Sequence, residues 1–574
     1  MKPNSSMQFT WLVCVPSILG LVLLTPRNAG AQTCATATIS VSPRVVHYRE
    51  VILEGERKRI EPNLTVSIEL PDGSAGGIDP ASITLNRFTL KELTGLERVV
   101  IGDSNQNGIV DLTVKANRSA LITGDGVLTV AGKTLTGGCF SGQDTVEMRC
   151  APGVKRSDYT IEFTTSDMPD ESLNGRHAVL DVHRVRPVFP TGCPNLAPLR
   201  ALVLVHGRTV PATAVFDLEY QDYSLMERLA RRGIDTFAAN HLGFGLSKIV
   251  DDDPLEQSCN ASLPKCTVLP GATCSPVSGQ CDCEGLPLGQ NKLGQQLSTD
   301  YLNPNPLGGG QCAHTTNTRF ARVTNQVSEL DLVIDDARAK SGFEKVHLLG
   351  YSNGGVPVGK YLGDSAPHRD KIASVIFLDS SGFGGIAALE EQPPDKLPSW
   401  PFGLIRRKDV EANFNVTKSC PGQQAPGIVD AVWTTIRARD PIASGWGPLP
   451  DGLSRYPIVS RFLWSSGVAS NIDLPALVIH GSNDDVVLPD RGFEIWSSSP
   501  LQEPKTTCSS DAQCAPGYAC RSFPDKTCRL NNRVFEKIPC ASHLLVWETC
   551  TGQDCIDPHK TVQKRVGDWI LTGR

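Results

Sequence analysis

"VHLLGYSNGGVPVGKYL", Val346 to Leu362, is the stretch on which the reading of this chain turns. Five residues suited to a buried strand run into Gly350-Tyr351-Ser352-Asn353-Gly354, and a helix-compatible segment follows. The pattern G-x-S-x-G is weak alone, because a glycine-rich chain meets it by chance. Context gives it meaning. A serine presented for attack needs a strand, a tight turn with small neighbours, and then a helix. Gly350 and Gly354 matter because that turn brings the strand and helix backbones close together.

The same alternation surrounds the stretch. "ALVLVHG" (201–207) is a continuous apolar strand, "YSLMERLARRG" (223–233) an amphipathic helix stopped by glycine, and "IDTFAANHLGFGLS" (234–247) the next strand with its loop. "VSELDLVIDDARAKSG" (327–342) reads as a helix, "IASVIFLD" (372–379) and "PALVIHG" (475–481) as buried strands. "HKTVQKRVGDWI" (559–570) sets Val562, Val566, Trp569 and Ile570 on one helical face. Strands alternating with helices predict an α/β unit with a mostly parallel sheet.

From about residue 176 to the C-terminus the chain resembles the α/β-hydrolase superfamily. "LVLVHG", "NHLGFGLS", "GYSNGG", "HGSNDDVVLP" and "CASHLL" stand in the family's order and at its strand ends. The resemblance implies Ser352 as nucleophile and Asp484, three residues past Gly481, as triad acid. It implies His543, after the strand "RVFEKIP", as general base. A serine hydroxyl is a poor nucleophile near neutral pH, so His543 must take its proton. Asp484 must hold the imidazole tautomer and stabilise its positive form. The oxyanion hole is expected from the backbone N–H groups of Asn353 and Arg208. Asp485 is the neighbouring alternative acid, and register with Gly481 favours Asp484. His206 and His480 are expected to bond loop backbone. Asn240 stands where the family often has Asp, and Cys540 is expected in a disulfide. An ordinary histidine base predicts activity falling on acidification through roughly pH 6–7.

Residues 383–470 fall where the family places a helical cap, with "IAALEEQ", "VDAVWTTIRARD" and "SRFLWSS" reading as helices and Trp400, Trp433 and Trp464 as its core. Two Cys-rich insertions, 251–318 and 501–532, interrupt the domain. Neither cysteine cluster within them, 259–283 or 508–528, contains a histidine, which favours disulfides over zinc.

The chain opens differently. Residues 1–31 read as a signal peptide: a lysine near the start, an apolar run from Trp11 to Leu24, then Ala29-Gly30-Ala31. That predicts a secreted or extracytoplasmic protein with no membrane span after cleavage. Nineteen cysteines in 574 residues agree, since an exported chain rich in cysteine uses them as disulfides. From 32 to 168, "LTVSIEL" (64–70), "SITLNRFTL" (82–90), "IVDLTVKA" (109–116) and "GVLTVAGKTL" (126–135) alternate with period two. They predict a β-sandwich domain, its last hairpin stapled by Cys139 and Cys150, followed by a linker at 169–175. Within it, "DSNQNGIVDL" offers Asp103, Asn105, Asn107 and Asp111 as oxygen ligands at a structural calcium, although Val114 stands where a calcium loop has its bidentate Glu. A hairpin turn is the other reading.

The fold class expected is thus an all-β sandwich followed by an α/β-hydrolase domain. A net charge of −6 gives no reason to expect nucleic acid as a partner. Serine at the elbow points to ester hydrolysis without a cofactor, on a small-molecule or polymer ester. A serine aminopeptidase using Glu390 and Glu391 is the alternative within the fold, and an inactive adhesion protein the alternative outside it. The N-terminal domain is expected to bind a surface or polymer.

Overall fold

The computed structural model describes residues 34–47, 64–86, 88–90, 99–103, 106–116, 121, 126–166, 174–190, 198–250, 275–277, 280–282, 322–383, 402–416, 422–440, 454–457, 464–521, 525–550 and 557–573. The proposed signal peptide lies outside them, as do Glu390, Glu391, Trp400 and most of the first Cys-rich insertion. Among them no helix is long and apolar enough to cross a membrane.

The N-terminal part is β-rich. Leu64–Glu69 turns Leu64, Val66 and Ile68 inward, as its alternation predicts. It pairs antiparallel with Thr38–Ser42 and Asp111–Ala116, and Val99–Gly102 completes that sheet. A second sheet runs in the order Ala35–Thr36, Cys139–Thr145, Val127–Thr134, Ile78–Leu85, Phe88–Thr89. The expected Cys139–Cys150 staple is not formed, because Cys139 is bonded to Cys34. Register explains this: Ala35 pairs with Phe140 in parallel, so the residues just before each meet. Cys150 belongs to another disulfide.

The domain boundary also moves. Strand β1 (Gly153–Thr164) is antiparallel to β2 (His177–Val188) along its whole length, Gly153 opposite Val188 and Thr164 opposite His177. Gly175 N–H donates to Thr165 O at 2.8 Å just beyond these strands, while residues 169–173 of the expected linker lie outside the described residues. An antiparallel edge strand half-covered on one face alternates like the N-terminal strands before it, so its sequence cannot show which sheet it joins.

These two strands open the sheet that carries the candidate site residues. β3 (Arg200–Val205), β4 (Ile234–Ala239), β5 (Val346–Tyr351), β6 (Ile372–Leu378), β7 (Ala476–Gly481) and β8 (Arg533–Ile538) follow, in the spatial order β1-β2-β4-β3-β5-β6-β7-β8. From β4 to β8 all neighbours are parallel. Central strands read as unbroken apolar runs because both faces are covered; β5 and β7 are buried at every residue. Helices α1 (Leu225–Ala230), α2 (Val323–Ser341) and α3 (Gly355–Asp364) lie between β3 and β6. The segment between β6 and β7 contains α4 (Ile428–Arg439), as its pattern predicts, with Trp433 and Trp464 buried. α5 (Pro489–Ser497) follows β7, and α6 (Pro558–Thr572) buries Val562, Val566, Trp569 and Ile570 as expected. The second Cys-rich insertion is tied by Cys508–Cys520 and Cys514–Cys528, so its thiols are spent on disulfides and not on zinc.

Candidate active site

Four parallel strands end side by side, and the predicted site residues sit just past those ends. β5 stops at Tyr351, and Ser352 begins a single 3-10 turn, Ser352–Gly354, that leads into α3. Ser352 has φ +53°, a backbone angle that non-glycine residues rarely hold. It is tolerated because the small neighbours leave no alternative path. A Cβ on Gly350 would come within 2.8 Å of Gly354 O, and one on Gly354 would strike the carbonyls of Val205 and His206. Ser352 O accepts Ser381 N–H at 2.9 Å, which pins the turn from the β6 side.

The other two members arrive from β7 and β8. His543 Nε2 lies 2.8 Å from Ser352 Oγ, and His543 Nδ1 lies 2.8 Å from Asp484 Oδ2. With a carboxylate at Nδ1, the proton belongs on that nitrogen, which leaves Nε2 to accept from the serine. Asp484 is buried and Asp485 is exposed, and it is Asp484 that His543 Nδ1 meets. Val486 and Val487 N–H donate to Asp484 Oδ1 at 2.9 and 2.8 Å. Burial works against the Asp484 charge, but hydrogen bonds from His480, His543 and Val487 N–H outweigh it and hold its pKa down at about 2.

The two residues expected to supply oxyanion donors both lie close to Ser352. Asn353 follows it in the turn, and Arg208 follows Gly207, whose Cβ position would lie 3.0 Å from Ser352 Cβ. His206 donates from Nδ1 to Gly207 O at 2.7 Å; burial and the nearby His241 lower its pKa to about 3, so it remains neutral. His480 Nε2 donates to Val487 O at 2.7 Å and stands 3.3 Å from Asp484 Oδ2. Both histidines hold loop backbone, as predicted.

Asn240 explains its own departure from the family pattern. Its Oδ1 accepts Ala212 N–H at 2.8 Å and its Nδ2 donates to Asp181 Oδ2 at 2.9 Å. The carboxylate that an Asp would bring is supplied across the sheet by Asp181, which needs a donor in return. Cys540 is disulfide-bonded.

Three residues near the site carried no functional expectation. Tyr351 Oη donates to His543 O at 2.6 Å, and its ring lies 5.5 Å from the imidazole at 25°. Asp379, at the end of β6, accepts Gly481 N–H at 2.7 Å; burial, then the charge of Asp484, push its pKa well above the usual range. An acid closing the apolar run "IASVIFLD" was the available signal. Glu548 holds Ser542, beside His543, and nothing in its local sequence marks it.

The calcium expectation fares differently. Asp103 turns its two oxygens onto the N–H groups of Asn107 and Gly108 at 3.0 and 2.9 Å, and Asn107 Oδ1 accepts Ile109 N–H at 2.8 Å. With Gln106 at φ +58° and Gly108 at +87°, these are the bonds of a hairpin turn. Asn105 lies outside the described residues.

Residues 200–417 match a family described as alpha/beta hydrolase fold. Among solved structures the chain is similar to a monoacylglycerol lipase from Paleococcus ferrophilus, at 14% identity and a TM-score of 0.31 over 73% of this chain and 100% of that one. It is also similar to a thermophilic esterase from Thermogutta terrifontis, at 12% identity and a TM-score of 0.30 over 72% and 97%. An esterase from Exiguobacterium antarcticum gives 11% identity and a TM-score of 0.31 over 68% and 96%. No curated protein matches the chain.

Proposed function

We propose that this chain of the α/β-hydrolase superfamily is an exported serine esterase that cleaves carboxylic esters through an acyl-enzyme on Ser352. One observation carries the reading: the unbroken hydrogen-bonded line from Ser352 Oγ through both ring nitrogens of His543 to the buried Asp484. A serine in that line attacks the ester carbonyl as His543 Nε2 takes its proton. The oxyanion that forms is met by the N–H groups of Asn353 and Arg208, each worth about 2.7–4 kcal/mol of barrier. On collapse the ester C–O bond breaks and the alcohol leaves with the proton from His543. Water then repeats the sequence on the acyl-enzyme, with His543 again as base, and releases the acid. No step calls for a cofactor.

In the same reading the segment 383–470 is a cap, the N-terminal sheets pack as a sandwich that binds a surface or polymer, and residues 1–31 are removed on export. The disulfides among the described residues support the last point, since such bonds persist in oxidising compartments.

The test is fluorophosphonate labelling of the secreted protein beside Ser352→Ala, with p-nitrophenyl esters of increasing chain length as substrates. Wild type should label and turn over, the variant do neither, and the chain-length optimum size the acyl pocket. A folded wild type that does neither would overturn the reading. Faster turnover of a short peptide amide panel would favour the aminopeptidase.

A further inference from the structure

The base sits on a loop, and loops do not hold a ring to a fraction of an ångström unless something else fixes them. Tyr351 Oη holds the His543 carbonyl. The residue before it, Ser542, gives both its donors to one carboxylate. Ser542 N–H donates to Glu548 Oε2 at 2.8 Å, and Ser542 Oγ donates to Glu548 Oε1. That hydroxyl then accepts Leu544 N–H at 3.2 Å, so donors on both sides of His543 depend on Glu548. Glu548 is 1% exposed, too deep for water to satisfy it.

A further donor to that carboxylate comes from far along the chain. Gln423 Nε2 donates to Glu548 Oε1 at 2.6 Å across 125 residues, and Gln423 O accepts Thr549 N–H at 3.1 Å. Gln423 precedes α4 in the segment between β6 and β7. Its own Oε1 is buried with no hydrogen-bond partner among the described residues. A flipped amide would aim that oxygen at the carboxylate, so the side chain is kept for the bond its nitrogen makes. The backbone of Glu548 is anchored separately: its carbonyl accepts His559 N–H at 3.1 Å and His559 Nδ1 at 2.7 Å, at the start of α6.

We propose that Glu548 is a positioning residue for the base, acting through Ser542, and that Gln423 couples it to the segment between β6 and β7. Ester turnover then depends on that segment being docked. The inference rests on the esterase reading and adds to it a residue pair and a route by which the segment governs the base.

The experiment measures the rate of fluorophosphonate labelling, and kcat and KM on a p-nitrophenyl ester, for wild type, Gln423→Met, Glu548→Gln and the exchanged pair Glu548→Gln/Gln423→Glu. Labelling of wild type tests the premise, and the variants test the coupling. Gln423→Met should lower labelling rate and kcat roughly tenfold with KM held within about twofold, as for a misplaced base rather than a weakened pocket. Glu548→Gln should cost more, and the exchanged pair should recover roughly tenfold of that loss, because amide and carboxylate again face each other. Variants that lose thermal stability but keep kcat within about twofold would overturn the proposal, as would an exchanged pair no faster than Glu548→Gln. If Glu548→Gln does not fold, Gln423→Met decides alone.

Discussion

The two parts of the chain treat buried polarity in opposite ways. Among the described residues from Cys34 to Arg149, one polar or charged side chain, Asp111, is buried. From Thr165 onward the core is threaded with them, including His183, Asp217, Glu329, His480, Glu548 and Asp568. A buried polar group costs several kcal/mol unless it is bonded, and even a well-paired buried charge seldom beats an apolar core for stability. The N-terminal sheets follow the cheaper course. The β1–β8 sheet keeps its polar groups, and those nearest Ser352 are the ones that fix ring and loop positions. Substitution near Ser352 should therefore change rates, whereas substitution in the N-terminal sheets should change melting temperature alone.

Ser352→Ala is the strongest challenge to that contrast. Turnover should fall by on the order of 10⁵–10⁶, with circular dichroism and melting temperature retained. Residual turnover at the wild-type level would place the chemistry elsewhere. Asp484→Asn should lower kcat by roughly 10³–10⁴, because the amide favours the wrong imidazole tautomer. Its counterpart, Asp111→Asn, should lower melting temperature while kcat stays within about twofold. If Asp111→Asn slowed turnover, the two parts would be coupled.

Replacing Cys34 and Cys139 together by Ser opens a link spanning 105 residues and should cost about 2–5 kcal/mol of stability in the N-terminal sheets, read by urea unfolding, with kcat unchanged. The smallest effect concerns acid. Asp484 has its pKa depressed from 3.8 to about 2, so its stabilisation is complete above its unfolded value and is lost as pH falls toward 2. The shift corresponds to about 2 kcal/mol. In acid unfolding, the stability gap between wild type and Asp484→Asn should narrow below about pH 4. His183, raised by Asp217 and Asp158 against the opposing effect of burial, carries the opposite sign. Its contribution is full below its unfolded value and fades as pH climbs through the folded one, which His183→Gln should show as a loss confined to the acid side.

The candidate site residues were legible because they lie at strand ends. Ser352, Asp484 and His543 each stand a few residues past a recognisable apolar run, and local sequence records that offset. What local sequence does not record is pairing. β1 alternates as the N-terminal strands do, so its place at the edge of the β1–β8 sheet appears only once β2 lies against it. Cys139 could not be matched to Cys34 before the register of Ala35 with Phe140 was known. Gln423 and Glu548 meet across 125 residues, and Asp379 meets Gly481 N–H across 102. A glutamine in a loop and a glutamate after "HLLVW" look like solvated surface until the fold brings them together. Asn240 is the reverse case: it looked like a defect in a pattern, and Asp181 shows it to be half of a pair.

The hairpin that moved the domain boundary has a further effect, on how copies of this chain meet. A sheet's outermost strand offers a free row of backbone donors and acceptors to any passing strand. Here that margin is β1, twelve residues long, and it carries Lys155, Arg156, Asp158 and Glu162. The opposite margin among the described residues, β8, carries Glu536 and Lys537. Charge at such short intervals makes it costly to lay a second copy alongside in register. By spending its longest strand pair on the border of its largest sheet, the protein makes itself a poor template for ordered aggregation.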